Sequence, residues 1–152
     1  MGKSFVIKLG SAENINSMVN LGDFWAEEFD IEDFDRDQWT EIVRNYSIYV
    51  DHRSLVFFNN VNKPVGLLLG GVTKIPHSGK MVGQIHYLYL MPEFLNHENL
   101  YELHSEFVEW AKTFQAEEIT APDFYPLPDA YQEFFTELEY QKGLSIQSKG
   151  LR

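Results

Sequence analysis

Residues 87–119 read YLYLMPEFLNHENLYELHSEFVEWAKTFQAEEI, and the reading of this stretch decides the fold. Tyr87 to Leu90 closes a β-rich segment that starts at Val82. Strict alternation predicts Ile85, Tyr87 and Tyr89 on one face and His86, Leu88 and Leu90 on the other. Met91-Pro-Glu93 breaks the strand. Leu100, Leu103, Phe107, Trp110, Ala111 and Phe114 then recur at offsets of 3, 7, 10, 11 and 14, which is one face of a helix. Glu98, Glu102, Glu106 and Glu109 fall on the other side. Glu118 to Ala121 reads as a short strand.

Upstream, Ser54 to Asn59 and Pro64 to Val72 are apolar and β-rich around the turn Asn60-Val-Asn-Lys63, a hairpin pattern. Gly70-Gly71 within the second run predicts a bulge or a close approach by another group. Phe5 to Leu9 reads as a first strand. Ser11 is an expected N-cap for a helix through Ile15, Met18, Val19, Leu21 and Trp25, and Asp35 or Asp37 for one through Trp39, Ile42, Val43 and Tyr46. Downstream, Pro126-Leu-Pro128 is a break, Ala130 to Leu138 a shorter helix and Leu144 to Gln147 a last strand. The order β-α-α-β-β-β-α-β-α-β predicts an α/β domain over residues 1–152, built around one sheet.

The 152 residues carry 23 acids against 12 bases, for a formal net charge of −11, and no cysteine. A surface so acidic disfavours nucleic acid and anionic membrane, whose binding rests on Lys and Arg neutralising phosphates. Lack of cysteine removes disulfides, thiolate metal sites and a Cys nucleophile. No apolar run reaches the 18 residues of a membrane span, and the start lacks a signal-peptide core, so the expected location is cytoplasmic. His97 and His104 lie two helical turns apart, too far to share a metal easily, and no metal site is expected.

With Tyr-Leu-Tyr-Leu-Met-Pro-Glu-Phe at 87–94, the helix through Trp110-Ala-Lys112, Pro64-Val-Gly-Leu-Leu-Leu-Gly-Gly71 before them and Phe134-Phe-Thr-Glu-Leu-Glu-Tyr140 after them, the chain resembles the Gcn5-related N-acetyltransferase (GNAT) superfamily. The resemblance implies a mixed, mostly antiparallel sheet with helices on both faces, splayed near Leu88 to Leu90. It further implies acetyl-CoA as cofactor: strand backbone at Leu88 and Leu90 would meet the pantetheine and acyl carbonyl. The amides of Leu95, Asn96, His97, Glu98, Asn99 and Leu100 would meet the pyrophosphate. The texture also resembles GNAT-like proteins of phage virions and heads, which would make it a virion component.

The functional motifs depart from the family pattern. Where the family has Arg/Gln-x-x-Gly-x-Gly/Ala, this chain has Leu95, Glu98 and Leu100, so side chains stand where backbone should approach phosphates. From Glu93 to Glu139 there are twelve acids and one base, Lys112, an adverse field for a polyanion. The tyrosine that many members use to protonate the leaving thiolate is Phe135, with Tyr131 one turn earlier as a stand-in. His86 occupies the region where the family often places a base.

Three readings follow. The first is a catalytically silent GNAT-like protein acting in protein interaction or assembly, without cofactor. Its partner surface would include Phe24, Trp25, Phe29, Phe34 and Trp39, which are interleaved with seven acids. The second is a divergent acetyl-CoA-dependent N-acyltransferase using His86 and Tyr131. The third is an acidic decoy for a basic protein. A homodimer is compatible with all three.

Overall fold

The computed structural model describes residues 5–122, 129–138, 141–142 and 146–150. Seven strands form one sheet in the order β1-β2-β3-β4-β5-β7-β6. They are β1 (Val6–Leu9), β2 (His52–Phe58), β3 (Pro64–Lys74), β4 (Met81–Leu90), β5 (Glu118–Pro122), β6 (Gln141–Lys142) and β7 (Ile146–Gly150). Every pairing is antiparallel except β4 with β5. The helices are α1 (Ile15–Glu28), α2 (Arg36–Ile48), α3 (His97–Lys112) and α4 (Asp129–Glu137).

The helices lie on both faces. Leu67 of β3 points among Gly22, Trp25 and Trp39 of α1 and α2. A Cβ on Gly70 would instead meet Phe107 of α3 at 2.5 Å. Residues 67 and 70 have opposite parity, so α1 and α2 cover one face and α3 the other. Of the α3 stripe predicted from its spacing, Leu100, Leu103, Phe107 and Ala111 are fully buried in the core, while Trp110 and Phe114 are partly buried. Tyr131, Phe134 and Phe135 of α4 are also buried, with Phe134 edge-on to His104 of α3 at 5.6 Å.

Local signals set the helix starts. Asp35 caps α2, its side chain accepting the N–H groups of Asp37 and Gln38. Ser11 does not cap α1. It makes only a turn, accepting the Asn14 N–H, and the helix begins at Ile15 behind Asn14. Asn14 is held by donating its side-chain amide to Leu9 O at 2.8 Å.

One feature overturns the strict alternation expected of β4. Leu69 pairs with Tyr87 and Gly70 with Ile85, which leaves His86 as the extra residue of a β-bulge. The bulge puts His86 and Tyr87 on the same side, facing α1 and α2, while Gly83 and hence Ile85 face α3. Gly70 meets the expected close approach, whereas the extra residue of the bulge lies on β4 and not in the Gly70-Gly71 run. Gly70 adjoins the bulge, and a side chain there would lie 2.5 Å from Gln84 O. The Pro126–Pro128 break lies outside the described residues.

Candidate functional site

The sheet opens at the far end of β4. Among the described residues β5 pairs only with Val82, Gly83 and Gln84 of β4, and no other described strand pairs with that edge from Ile85 to Leu90. Met91 N–H turns toward β3, bonding Val65 O, so the Leu90 N–H faces the open side, and alternation puts Leu88 the same way. Into this opening α4 inserts Tyr131, 1% exposed. Its hydroxyl accepts the Leu90 N–H at 2.9 Å, with the Leu90 carbonyl 3.4 Å away. Phe135 is buried beside Phe134, ring centroids 5.4 Å apart.

The turn from β4 into α3 is similarly self-contained. Pro92–Phe94 forms a 3-10 turn, and Asn96 then caps α3 by accepting the Asn99 N–H at 2.8 Å. Asn99 itself is buried, donating its side-chain amide to Phe94 O at 2.8 Å. Leu100, at a family glycine position, is fully buried in the core. His97 reaches Glu137 at the end of α4, Nε2 to Oε2 2.7 Å, and lies edge-on to Phe134. Glu98 is exposed and Leu95 partly buried. A helix N-terminus normally attracts anions through its free N–H groups. Here the Asn99 N–H is taken by Asn96, the Glu137 carboxylate stands at His97, and Tyr131 holds the Leu90 N–H.

On the other face, His86 is built into a polar cluster. Burial pushes the Tyr46 phenol up to about 12, and its hydroxyl is hydrogen-bonded to His86 Nδ1. His86 Nε2 faces Gln84 Oε1 at 3.3 Å, and with the ring hydrogen on Nε2 the Nδ1 accepts from Tyr46. Desolvation, aided by nearby His52, lowers the His86 pKa, so the imidazole is neutral near pH 7. His52 lies edge-on to Tyr46, with centroids 4.8 Å apart, and is paired to Asp51 at 2.7 Å. Both His86 nitrogens therefore have protein partners. Tyr46 and Gln84 were not found from sequence: Tyr46 is 40 residues from His86 and carries no motif.

The aromatic residues at 24–39 separate into two groups. Trp25, Phe34, Trp39 and Tyr87 pack together, with Trp25 stacked on Trp39 at 6.0 Å and Tyr87 edge-on to Trp39 at 5.2 Å. Trp39 is 4% exposed and donates its indole N–H to Met18 O, so it belongs to the core and not to a partner surface. Phe29 packs on Tyr89, whose hydroxyl donates to Glu28 at 2.8 Å. Phe24 alone of the five is exposed, at 47%. Among the described residues no three His, Asp or Glu side chains gather to hold a metal, and no helix is long and apolar enough to cross a membrane.

Neither a family model nor a curated protein sequence matches the chain. Solved structures do match by shape. The PaiA N-acetyltransferase of Thermoplasma acidophilum, solved with coenzyme A, has a TM-score of 0.73 at 14% identity, covering 98% of this chain and 100% of that one. A predicted acetyltransferase of Clostridium acetobutylicum, solved with acetyl-CoA, gives 0.76 at 12% identity, covering 92% of each chain. The glucosamine N-acetyltransferase region of a fungal multi-domain β-N-acetylglucosaminidase gives 0.74 at 16%, covering 95% of this chain and 18% of that longer one. The chain therefore has the GNAT fold.

Proposed function

We propose that this chain is a GNAT-fold protein that works by binding a protein partner and does not turn over acetyl-CoA. The observation that carries the reading is the Tyr131 hydroxyl on the Leu90 amide, which fills the β4 opening from within. The capped, carboxylate-flanked start of α3 supports it independently. On this reading the fold is kept as a scaffold, since fold and chemistry are separable. The partner-facing surface is the outer side of α1, where Phe24 stands exposed with Glu27.

A second reading, acetyl-CoA-dependent N-acyl transfer, is favoured by the neutral His86 and by a tyrosine hydroxyl lying at the β4 opening. It requires Tyr131 to leave Leu90. Thermal unfolding with about 1 mM acetyl-CoA separates the two. A site of ~10 μM affinity would add roughly 2.7 kcal/mol, raising Tm by about 5–10 °C. The binding reading expects no shift, and a shift of that size restores the transferase.

A further inference from the structure

The end of the sheet remote from Leu90 holds a groove that neither reading uses. About 410 Å³ in volume, it lies where β1 ends and β2 begins, between the C-terminal turns of α2 and α3. That volume is within the usual ~300–1,000 Å³ of small-molecule sites. Arg53, Trp110 and Tyr46 contribute to its walls, with Leu9, Tyr49 and Val50 among its lining. The last three are 50%, 54% and 82% exposed, an apolar rim around a cationic interior.

Arg53 is the anomaly. Its Nε is buried and has no hydrogen-bond partner among the described residues. Its guanidinium lies 5.7 Å from the centroid of the Trp110 ring. Glu106 of α3 contributes a favourable field at Arg53 without an ion pair to it. Arg53 lines the groove, so an acceptor there can reach the part of its side chain that faces it.

We infer that this groove binds a small monocarboxylate with a planar apolar body, its carboxylate on the Arg53 guanidinium and its body against Trp110 and the apolar rim. The fork of guanidinium N–H groups matches a carboxylate bidentately, and its plane stacks with flat rings. The carbonyl ends of α2 and α3 and the Glu106 charge oppose any anion, and a second negative charge more than a first, which favours a single negative charge over a phosphate. The site is independent of acetyl-CoA and of any protein partner.

The test uses the full chain labelled with ¹⁵N and sodium benzoate as probe, with benzamide as the uncharged isostere and sodium chloride as the ionic-strength control. Benzoate, titrated to about 10 mM so as to saturate a site of about 1 mM affinity, is expected to shift the Arg53 Nε–H and Trp110 indole resonances saturably. Benzamide is expected to bind at least tenfold more weakly. Arg53→Gln is expected to lose the benzoate response while keeping the remaining spectrum, and Arg53→Lys to retain part of it. No saturable shift, an equal response to benzamide, or the same shift with chloride would overturn the inference.

Discussion

The phenol oxygen of Tyr131 sits 2.9 Å from the Leu90 amide nitrogen, joining α4 to the strand edge that β5 leaves open. Both groups are buried, and a backbone N–H left unpaired inside a protein costs about 1–3 kcal/mol. The tyrosine is therefore a structural member of the opening. Tyr131→Phe keeps the ring and removes the hydroxyl that accepts from the Leu90 N–H and faces the Leu90 carbonyl. It is expected to lower Tm by about 3–10 °C without changing the far-UV circular dichroism. An unchanged Tm would mean that Leu90 has another partner.

Asn96 holds the first turn of α3 through its bond to the Asn99 N–H. Asn96→Ala should cost about 0.5–2 kcal/mol, whereas Asn96→Asp or Asn96→Ser should cost much less. Chemical denaturation with urea measures this as a lower midpoint at constant slope.

Much of this was legible in the sequence. The α3 stripe, the hairpin and the Asp35 cap follow from local spacing and composition, because periodic burial and capping are short-range effects. The bulge at His86 was not legible, since one inserted residue leaves no compositional trace yet reverses which side chains share a face. For the same reason the Tyr46–His86 pair was invisible until α2 was laid against β4. The aromatic run at 24–39 was legible as a group, but only the packed helices distinguish the buried Trp39 from the exposed Phe24. The departures expected at Leu95, Glu98, Leu100 and Phe135 concern residue type alone, whereas the bonds of Tyr131 to Leu90 and of Asn96 to Asn99 needed the fold.

His86 makes stability depend on pH. Its pKa is depressed in the folded protein, so below about 6.5 the unfolded chain binds the extra proton first. This contribution is complete above the unfolded value and is lost as pH falls through the folded one. Comparing Tm at pH 7.5 and 5.5, the wild type should fall further than His86→Asn, whose difference isolates this group from the carboxylates. Equal falls would place the imidazole outside the linkage.

Gly22 lets α1 meet the aromatic cluster. A Cβ there would lie 2.0 Å from the Trp39 indole nitrogen. Gly22→Ala should therefore push Trp39 off its stack with Trp25, destabilising the fold by about 1–3 kcal/mol through overpacking. The near-UV dichroism of the tryptophans should weaken with it. A gain in stability, as helix propensity alone would give, would contradict this packing.

The central claim is that the Leu90 amide is already taken and that the start of α3, capped by Asn96 and flanked by Glu137, does not hold a pyrophosphate. Following the Leu90 and Asn96 to Leu100 amide resonances of the ¹⁵N-labelled protein during an acetyl-CoA titration tests it most directly. The account predicts that none of them moves up to about 1 mM ligand, a range that would saturate a site of ~10 μM. A saturable shift of Leu90 together with the Asn96 to Leu100 amides would contradict it and make the chain a cofactor-binding acetyltransferase.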